Sequence, residues 1–449
     1  MTRARPEPDL SEAAPPLWEQ VAALIVIVIL TQALIGPIFA PTQEETPILR
    51  LVWLPIYAMI AGLCVWRWER LVRVWPAILM LFLMVLHAFA SKYWSIDPGV
   101  TQRRVIALAI TGAFSIYLGA AFRGPHLPRL LMIGGLVMGV GSLMMVFAFP
   151  AIGVHQAENF GLWRGLWYEK NQMGIVMVAT GTAAAAVLAA EDRLDPLAVV
   201  TIALSTGLML MTQSKTSLLC MLIGLGGIGA LWAMRKGGAA FAIVCIWLGV
   251  ILVSAGAYLF TTNRELVLQA LGKDPSLTGR TDIWAALMRM VEQQPWTGFG
   301  YSAFWGRDSI PALMIRQETQ WPVPSAHNGW IDLLVQLGWP GAVLVAVLLA
   351  TTTLISVLRS MGSGLREGWW ALGFLGAFFV LSLSESILVQ HQSLPWVLFL
   401  AVLTRAILPS PVLAAVPLVE KRGGAYQTGS RIAAQYPHGP VRRPPFAVR

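Results

Sequence analysis

The chain has 449 residues, of which 56% are hydrophobic and 12% charged, with a formal net charge of +9. That charged share is about half the ~25% usual in soluble domains, which excludes a soluble globular enzyme and leaves an all-α polytopic membrane protein. The surplus of Lys and Arg lies mostly in short loops between apolar runs and in the tail, so it is a topology signal and gives no ground for a nucleic-acid partner.

In chain order, residues 1–17 read as a cytoplasmic N-terminus. Residues 18–261 hold nine apolar runs, at about 18–40, 48–66, 73–90, 104–121, 130–149, 172–190, 196–212, 216–234 and 239–261. Each is near the length that crosses a hydrocarbon core of ~30 Å. Residues 262–327 form a long polar interruption, and residues 328–409 hold three more runs at 328–358, 369–390 and 394–409. The expected total is twelve transmembrane helices. Residues 410–449 are rich in Pro, Gly, Ala and Arg without periodicity and read as a disordered basic tail that touches lipid headgroups. Cys64, Cys220 and Cys245 all fall inside apolar runs and read as small buried hydrophobes, with no disulfide framework and no metal-ligand spacing. Glycines 134, 135, 139, 141, 224, 226, 227 and 229 mark close helix approach.

Loop charges orient the bundle. Arg67, Arg70, Arg73, Arg123, Arg129, Arg235, Lys236, Arg359 and Arg366 share one side with the tail residues Lys421, Arg422, Arg442 and Arg443. The positive-inside bias makes that side cytoplasmic. The acidic turn Gln43–Glu45 and the loop 262–327 then face the periplasm. Lys92, Arg103, Arg104, Arg164, Lys170, Lys215 and Arg280 fall on that far side, against the bias. Either they pair locally with Asp97, Glu158, Glu169 and Asp282, or they build an anion site; ionisable groups at membrane depth favour the second reading.

Within the polar interruption, Arg280 precedes Thr281–Asp282, an N-cap-like pair ahead of Trp284 and Leu287. A guanidinium fork at a helix start suits diphosphate oxygens, although an Arg280–Asp282 pair could simply order the loop. His327 opens SAHNGWIDLL at the start of a run that meets Gly338–Trp339–Pro340–Gly341, where the helix should break or kink. Alone, His327 reads as a surface histidine capping a helix. Beside Arg280 and Asn328 it reads as a proton-transfer group, the role imidazole suits near neutral pH. Lys215 sits in a tight turn, where a lysine either snorkels to lipid phosphates or clamps a diphosphate.

Five segments together carry a resemblance: SKYWSIDPGVTQRR (91–104), FGLWRGLWYEKNQMG (160–174), TQSKTSLL (212–219), LTGRTDIW (277–284) and SAHNGWIDLLVQLGWPG (325–341). In order and spacing they resemble the O-antigen ligase and Wzy-type polymerase superfamily, and most nearly its succinoglycan-type exopolysaccharide polymerases. The resemblance runs from the third span to Glu385–Gln392. It implies a GT-C-like bundle with a large periplasmic loop in the bacterial inner membrane. It also implies transfer of glycan from an undecaprenyl-diphosphate-linked oligosaccharide to a growing glycan acceptor, with no metal and no cofactor. Chain-length regulator and export proteins are the further partners it suggests. On this reading His327 and Arg280 are catalytic. Lys215 and Arg164 help to hold the diphosphate, and Arg103 and Arg104 hold a phosphate or an acidic sugar at the rim. Asn328 adjoins the base, and Glu385, late in the eleventh span, is the reserve base. Where the ligases commonly carry arginine at the turn, Lys215 keeps the charge and loses the bidentate fork. A ligase acting on a lipid A core has the same motifs; a polysaccharide transporter or export scaffold is the alternative of another class.

Overall fold

The computed structural model describes residues 14–35, 37, 47–156, 159–190, 194–263, 280–362 and 367–408. The turn Gln43–Glu45, Glu158, residues 191–193, the segment Gly272–Gly279, Arg366, and the tail with Lys421, Arg422, Arg442 and Arg443 lie outside the described residues.

The described residues form helices α1 (Leu17–Leu30), α2 (Pro47–Trp66), α3 (Trp68–Val72), α4 (Trp75–Ala90), α5 (Pro98–Ala121), α6 (His126–Ala148), α7 (Pro150–Gly153), α8 (Lys170–Ala190), α9 (Pro196–Met211), α10 (Lys215–Thr262), α11 (Arg280–Gln293), α12 (Ile310–Thr319), α13 (Gly329–Gly362), α14 (Glu367–Ser382) and α15 (Leu394–Ile407). Among these residues the only β pairing is an isolated bridge between Val154 and Trp163. Among the described residues, six helices are long and apolar enough to cross a membrane: Trp75–Tyr93, Pro98–Ala121, His126–Ala148, Lys170–Ala190, Lys215–Met234 and Gly329–Ser360. Five shorter apolar helices accompany them: Leu17–Leu30, Leu51–Trp66, Pro196–Met211, Gly368–Ser382 and Leu394–Ile407. A polytopic all-α membrane protein is thus what the sequence builds.

The helices meet where small residues let them. A Cβ at Gly119 of α5 would lie 2.7 Å from the Ala401 carbonyl of α15, and one at Gly135 of α6 would lie 2.4 Å from Thr180 of α8. Those glycines are therefore contact points between helices. Gly226, Gly227 and Gly229 have open space instead, so the packing expected of them is not made among the described residues. Aromatic rings fill the seam between α14 and α15, with Phe378 and Phe399 stacked at 5.1 Å and 5°.

Two helix ends differ from expectation, each for a local reason. α5 starts at Pro98, earlier than 104, because Asp97 caps it: its carboxylate accepts from Val100 N at 2.9 Å, and Pro98 sits where a missing N–H costs nothing. Arg103 and Arg104 consequently lie in the second turn of α5, not at a loop's edge. α14 stops at Ser382, before the expected 390: Leu383 N and Ser384 N turn back to Val380 O and Leu381 O, and Val389 then takes φ 53°. Glu385 therefore sits in a loop beyond the helix and not inside a span.

The break expected at Gly338–Trp339–Pro340–Gly341 is present. Gly338 has φ 64° and ψ −170°, dividing α13 in two. The carbonyls freed by the break find partners in the loop at 299–300 and in α4. Phe299 N donates to Val335 O at 2.8 Å and Gly300 N to Gln336 O at 3.1 Å, while His87 Nε2 meets Leu337 O at 3.2 Å. Trp339 N is satisfied in turn by Pro295 O at 2.8 Å. A Cβ at residue 338 would lie 2.6 Å from the backbone of Trp296, so glycine is needed for both the angle and the approach. The result clamps residues 295–300 onto the first half of α13, which carries the site.

Candidate active site

The described part of the polar interruption, 280–327, is folded around two helices. α11 buries Ile283, Ala286, Leu287 and Val291, the i, i+3, i+4 stripe of an amphipathic helix. Its Trp284 indole donates to Ala326 O at 2.8 Å, and Arg316 of α12 donates to Val323 O and Trp305 O, both at 3.2 Å. These bonds fix the segment just before His327. Asn328 then caps α13, its Oδ1 accepting from Trp330 N at 3.0 Å and Ile331 N at 3.2 Å. The helix cap is Asn328, which leaves His327 free of that duty. Gly329 lies against the loop after α14: a Cβ there would be 2.9 Å from Leu388 and 3.2 Å from the Glu385 carbonyl. Trp330 Nε1 donates to Ser382 Oγ at 3.1 Å across the same contact.

That contact gathers Arg280, His327 and Glu385, residues scattered over 106 positions of sequence. Arg280 Nη1 donates to Ser384 O at 2.9 Å, and its Nη2 lies 3.7 Å from Glu385 Oε1. The other carboxylate oxygen, Oε2, lies 3.7 Å from His327 Nδ1. Asn171 Nδ2, from the first turn of α8, donates to Glu385 Oε1 at 3.2 Å. The carboxylate that meets Arg280 is thus Glu385, where the loop-ordering alternative had Asp282. The side chains of Arg280, Glu385 and His327 are 20%, 16% and 19% exposed. Both ring nitrogens of His327 are buried without a hydrogen-bond partner among the described residues, and its ring stacks on Trp321 at 5.6 Å and 8°. His327 holds φ 47°, a sparsely populated conformation for a residue with a side chain. Chemically, a carboxylate on the Nδ1 side favours the tautomer with Nδ1–H and leaves Nε2 as a proton acceptor. The guanidinium beside it supplies positive charge for an anion.

The remaining expected residues divide. Lys215 is the first residue of α10, exposed, with Ser214 capping the helix and Gln213 at φ 50°. A Cβ at Gly174 would lie 2.4 Å from Ser217 Oγ, so the opening turns of α8 and α10 touch, and Lys215 shares an end of the bundle with Asn171. Arg164 is engaged otherwise. Its Nε, Nη1 and Nη2 donate to the carbonyls of Ile152, Tyr168 and Ala151 at 2.7, 3.3 and 3.2 Å. It orders its own loop. Arg104 donates Nη1 to Ser302 Oγ at 2.8 Å and Ser302 O at 3.2 Å, holding the 295–302 segment, while Arg103 is exposed. His155 accepts from Lys170 N at 3.2 Å, and burial, with Arg164 and Lys170 nearby, lowers its pKa to about 4. Burial and the charge of Arg104 likewise lower His391, in the Glu385 loop, to about 3. Tyr301, whose hydroxyl donates to Val389 O at 2.7 Å, is raised by burial. His391 and Tyr301 are thus framework for the loop that presents Glu385, while His155 orders the start of α8.

Two participants carried too little signal to be found in the sequence. Asn171 is a single amide inside YEKNQMG. Asp332, one turn into α13, is 2% exposed and accepts from Trp305 Nε1 at 2.5 Å. Its spacing from Asn328 puts both on one helix face, which was the available clue.

Residues 200–346 match the Wzy_C family, described as O-antigen ligase. They contain Lys215, Arg280, His327, Asn328 and Asp332. The chain is also 24% identical over 344 residues to the exopolysaccharide production protein ExoQ of Rhizobium meliloti (strain 1021), covering 73% of this chain and 76% of that protein. Both similarities point the same way as the motif series, toward the O-antigen ligase and Wzy-type superfamily.

Proposed function

We propose that this protein polymerises undecaprenyl-diphosphate-linked oligosaccharide repeats into exopolysaccharide, working as a twelve-crossing protein of the bacterial inner membrane with the site on its periplasmic face. The observation that carries the reading is the convergence of Arg280, His327 and Glu385 around an imidazole with unsatisfied nitrogens. In the reaction, an acceptor hydroxyl oxygen bonds to the anomeric carbon of the donor. The bond from that carbon to the diphosphate oxygen breaks. The hydroxyl proton passes to His327 Nε2, and Glu385 stabilises the imidazolium that forms. The departing diphosphate carries new charge, which Arg280 neutralises with Lys215 at the rim. The Glu385 carboxylate faces a guanidinium, an imidazole and an amide, not a second carboxylate, which suits acid–base work better than holding a divalent metal.

Glycan transfer to a lipid A core uses the same groups, so acceptor identity separates polymerase from ligase. The test is the length of lipid-linked glycan in a strain lacking the gene. The polymerase reading expects single repeats to accumulate and long chains to vanish. Accumulation of long lipid-linked chains would establish the ligase, and an unchanged length distribution would remove both.

A further inference from the structure

Glu385 is held from three sides, and one holder comes from a helix remote in sequence. Arg280 faces Oε1 and His327 faces Oε2, each at 3.7 Å, while Asn171 Nδ2 donates to Oε1 at 3.2 Å. The last torsion of a glutamate is soft and roughly two-fold. Beside a guanidinium fork, a free carboxylate tends to turn both oxygens onto the fork in a bidentate pair. That rotation would take Oε2 away from the imidazole. The Asn171 amide occupies Oε1 from the side of α8 and leaves Oε2 for His327. α8 is a firm platform for this, since its first N–H is bonded to His155 and its Gly174 is pressed against Ser217 of α10. We infer that Asn171 is a positioning residue that divides the two oxygens of Glu385 between Arg280 and His327, and so sets the orientation of the base. The inference rests on the reaction proposed above.

The experiment is a double-mutant cycle on the full-length protein in membranes, with lipid-linked repeats from a strain lacking the gene as substrate. Asn171→Ala is expected to lower kcat by about 10- to 100-fold, the range for losing a hydrogen bond to a charged group, with KM little changed. Glu385→Gln is expected to lower it at least as far. If Asn171 acts through Glu385, adding Asn171→Ala to Glu385→Gln causes little further loss. Multiplying losses would make Asn171 a packing residue and overturn the inference, as would wild-type kcat in Asn171→Ala. Should Asn171→Ala insert poorly, Asn171→Leu keeps the approximate size and removes the donor without adding charge, and the same non-additivity is expected. A wild-type rate in Glu385→Gln overturns the inference through its partner. His327→Gln, which does not depend on Asn171, reports separately on the reaction itself.

Discussion

Two charged clusters stand at either end of α5, and they are built to opposite specifications. Near its end, Tyr117 donates to Glu19 Oε1 at 2.8 Å, and Arg67 grips the same carboxylate through Nε at 2.8 Å and Nη2 at 2.5 Å. Glu19 is fully buried, and both its oxygens are filled. Near the start of α5, Arg104 is bonded to Ser302 of the segment clamped beneath the Arg280–Glu385–His327 cluster. That cluster has ion-pair distances of 3.7 Å, a positive-φ histidine and two orphan ring nitrogens. A closed pair ties α1 to its neighbours. An open one retains unsatisfied capacity for something not of this chain. Buried polar groups without partners are costly, so two of them on one imidazole, set beside a guanidinium and a carboxylate, mark a candidate site, whereas both oxygens of Glu19 are filled.

The contrast breaks first on turnover. His327→Gln keeps size and polarity but has no basic nitrogen for the hydroxyl proton. It is expected to lower kcat by about 10²- to 10⁴-fold at unchanged protein level. Arg280→Lys is expected to lose most activity as well, since a point charge cannot both hold Ser384 O and face the departing diphosphate. Polymer of normal length and amount from both variants would return the cluster to the same class as the Glu19 pair.

The second break is on stability. Arg67→Ala leaves Glu19 buried with Tyr117 as its remaining partner and no positive charge beside it, a loss of up to about 3–5 kcal/mol. The expected result is a lower thermal midpoint in detergent, with turnover per folded molecule unaltered. If Arg67→Ala instead lowers turnover and leaves the midpoint in place, the closed cluster is not the structural tie described here.

Much of the open cluster was legible because its residue types are improbable where they stand. Arg280 and His327 stand in a long polar interruption just ahead of helical runs, with Arg280 against the charge bias of its side, and Glu385 is an acid at the edge of an apolar run. The break at Gly338 was legible too, because Gly-Trp-Pro-Gly defeats a helix by local geometry alone. Partner choice was not. Arg164 and Arg104 carry the same charge as Arg280, yet their guanidiniums are filled by carbonyls and a serine that only the tertiary fold brings near. Asn171 was missed for the converse reason: an amide has no charge to conflict with its surroundings, and its value lies wholly in a partner 214 residues away. The Asp97–Pro98 cap was present in the sequence and moves the start of α5, showing that a strong local signal can outrank hydropathy at a span's edge.

The smallest effect expected is one of pH on the loop between α7 and α8. His155 has its pKa lowered from 6.5 to about 4, chiefly by burial and then by Arg164 and Lys170. Between those values the opened loop takes up a proton that the closed loop refuses, so the closed state weakens as pH falls and strengthens as pH rises. Above 6.5 both states are neutral and the effect is absent; below 4 both are charged and it no longer grows. Protonation would also repel the Lys170 N–H, which now donates to the ring. Glu169, 3.9 Å from Nε2, offsets part of that cost, and its half-exposed position keeps the offset small. Limited proteolysis of residues 150–169 is therefore expected to be faster at pH 5 than at pH 7.5 by on the order of tenfold. His155→Gln, which cannot titrate, should show the same rate at both. A pH dependence that survives in His155→Gln would move the titrating group elsewhere, and turnover at pH 7.5 should be little altered, because this histidine holds the platform of α8 and does not face the open cluster.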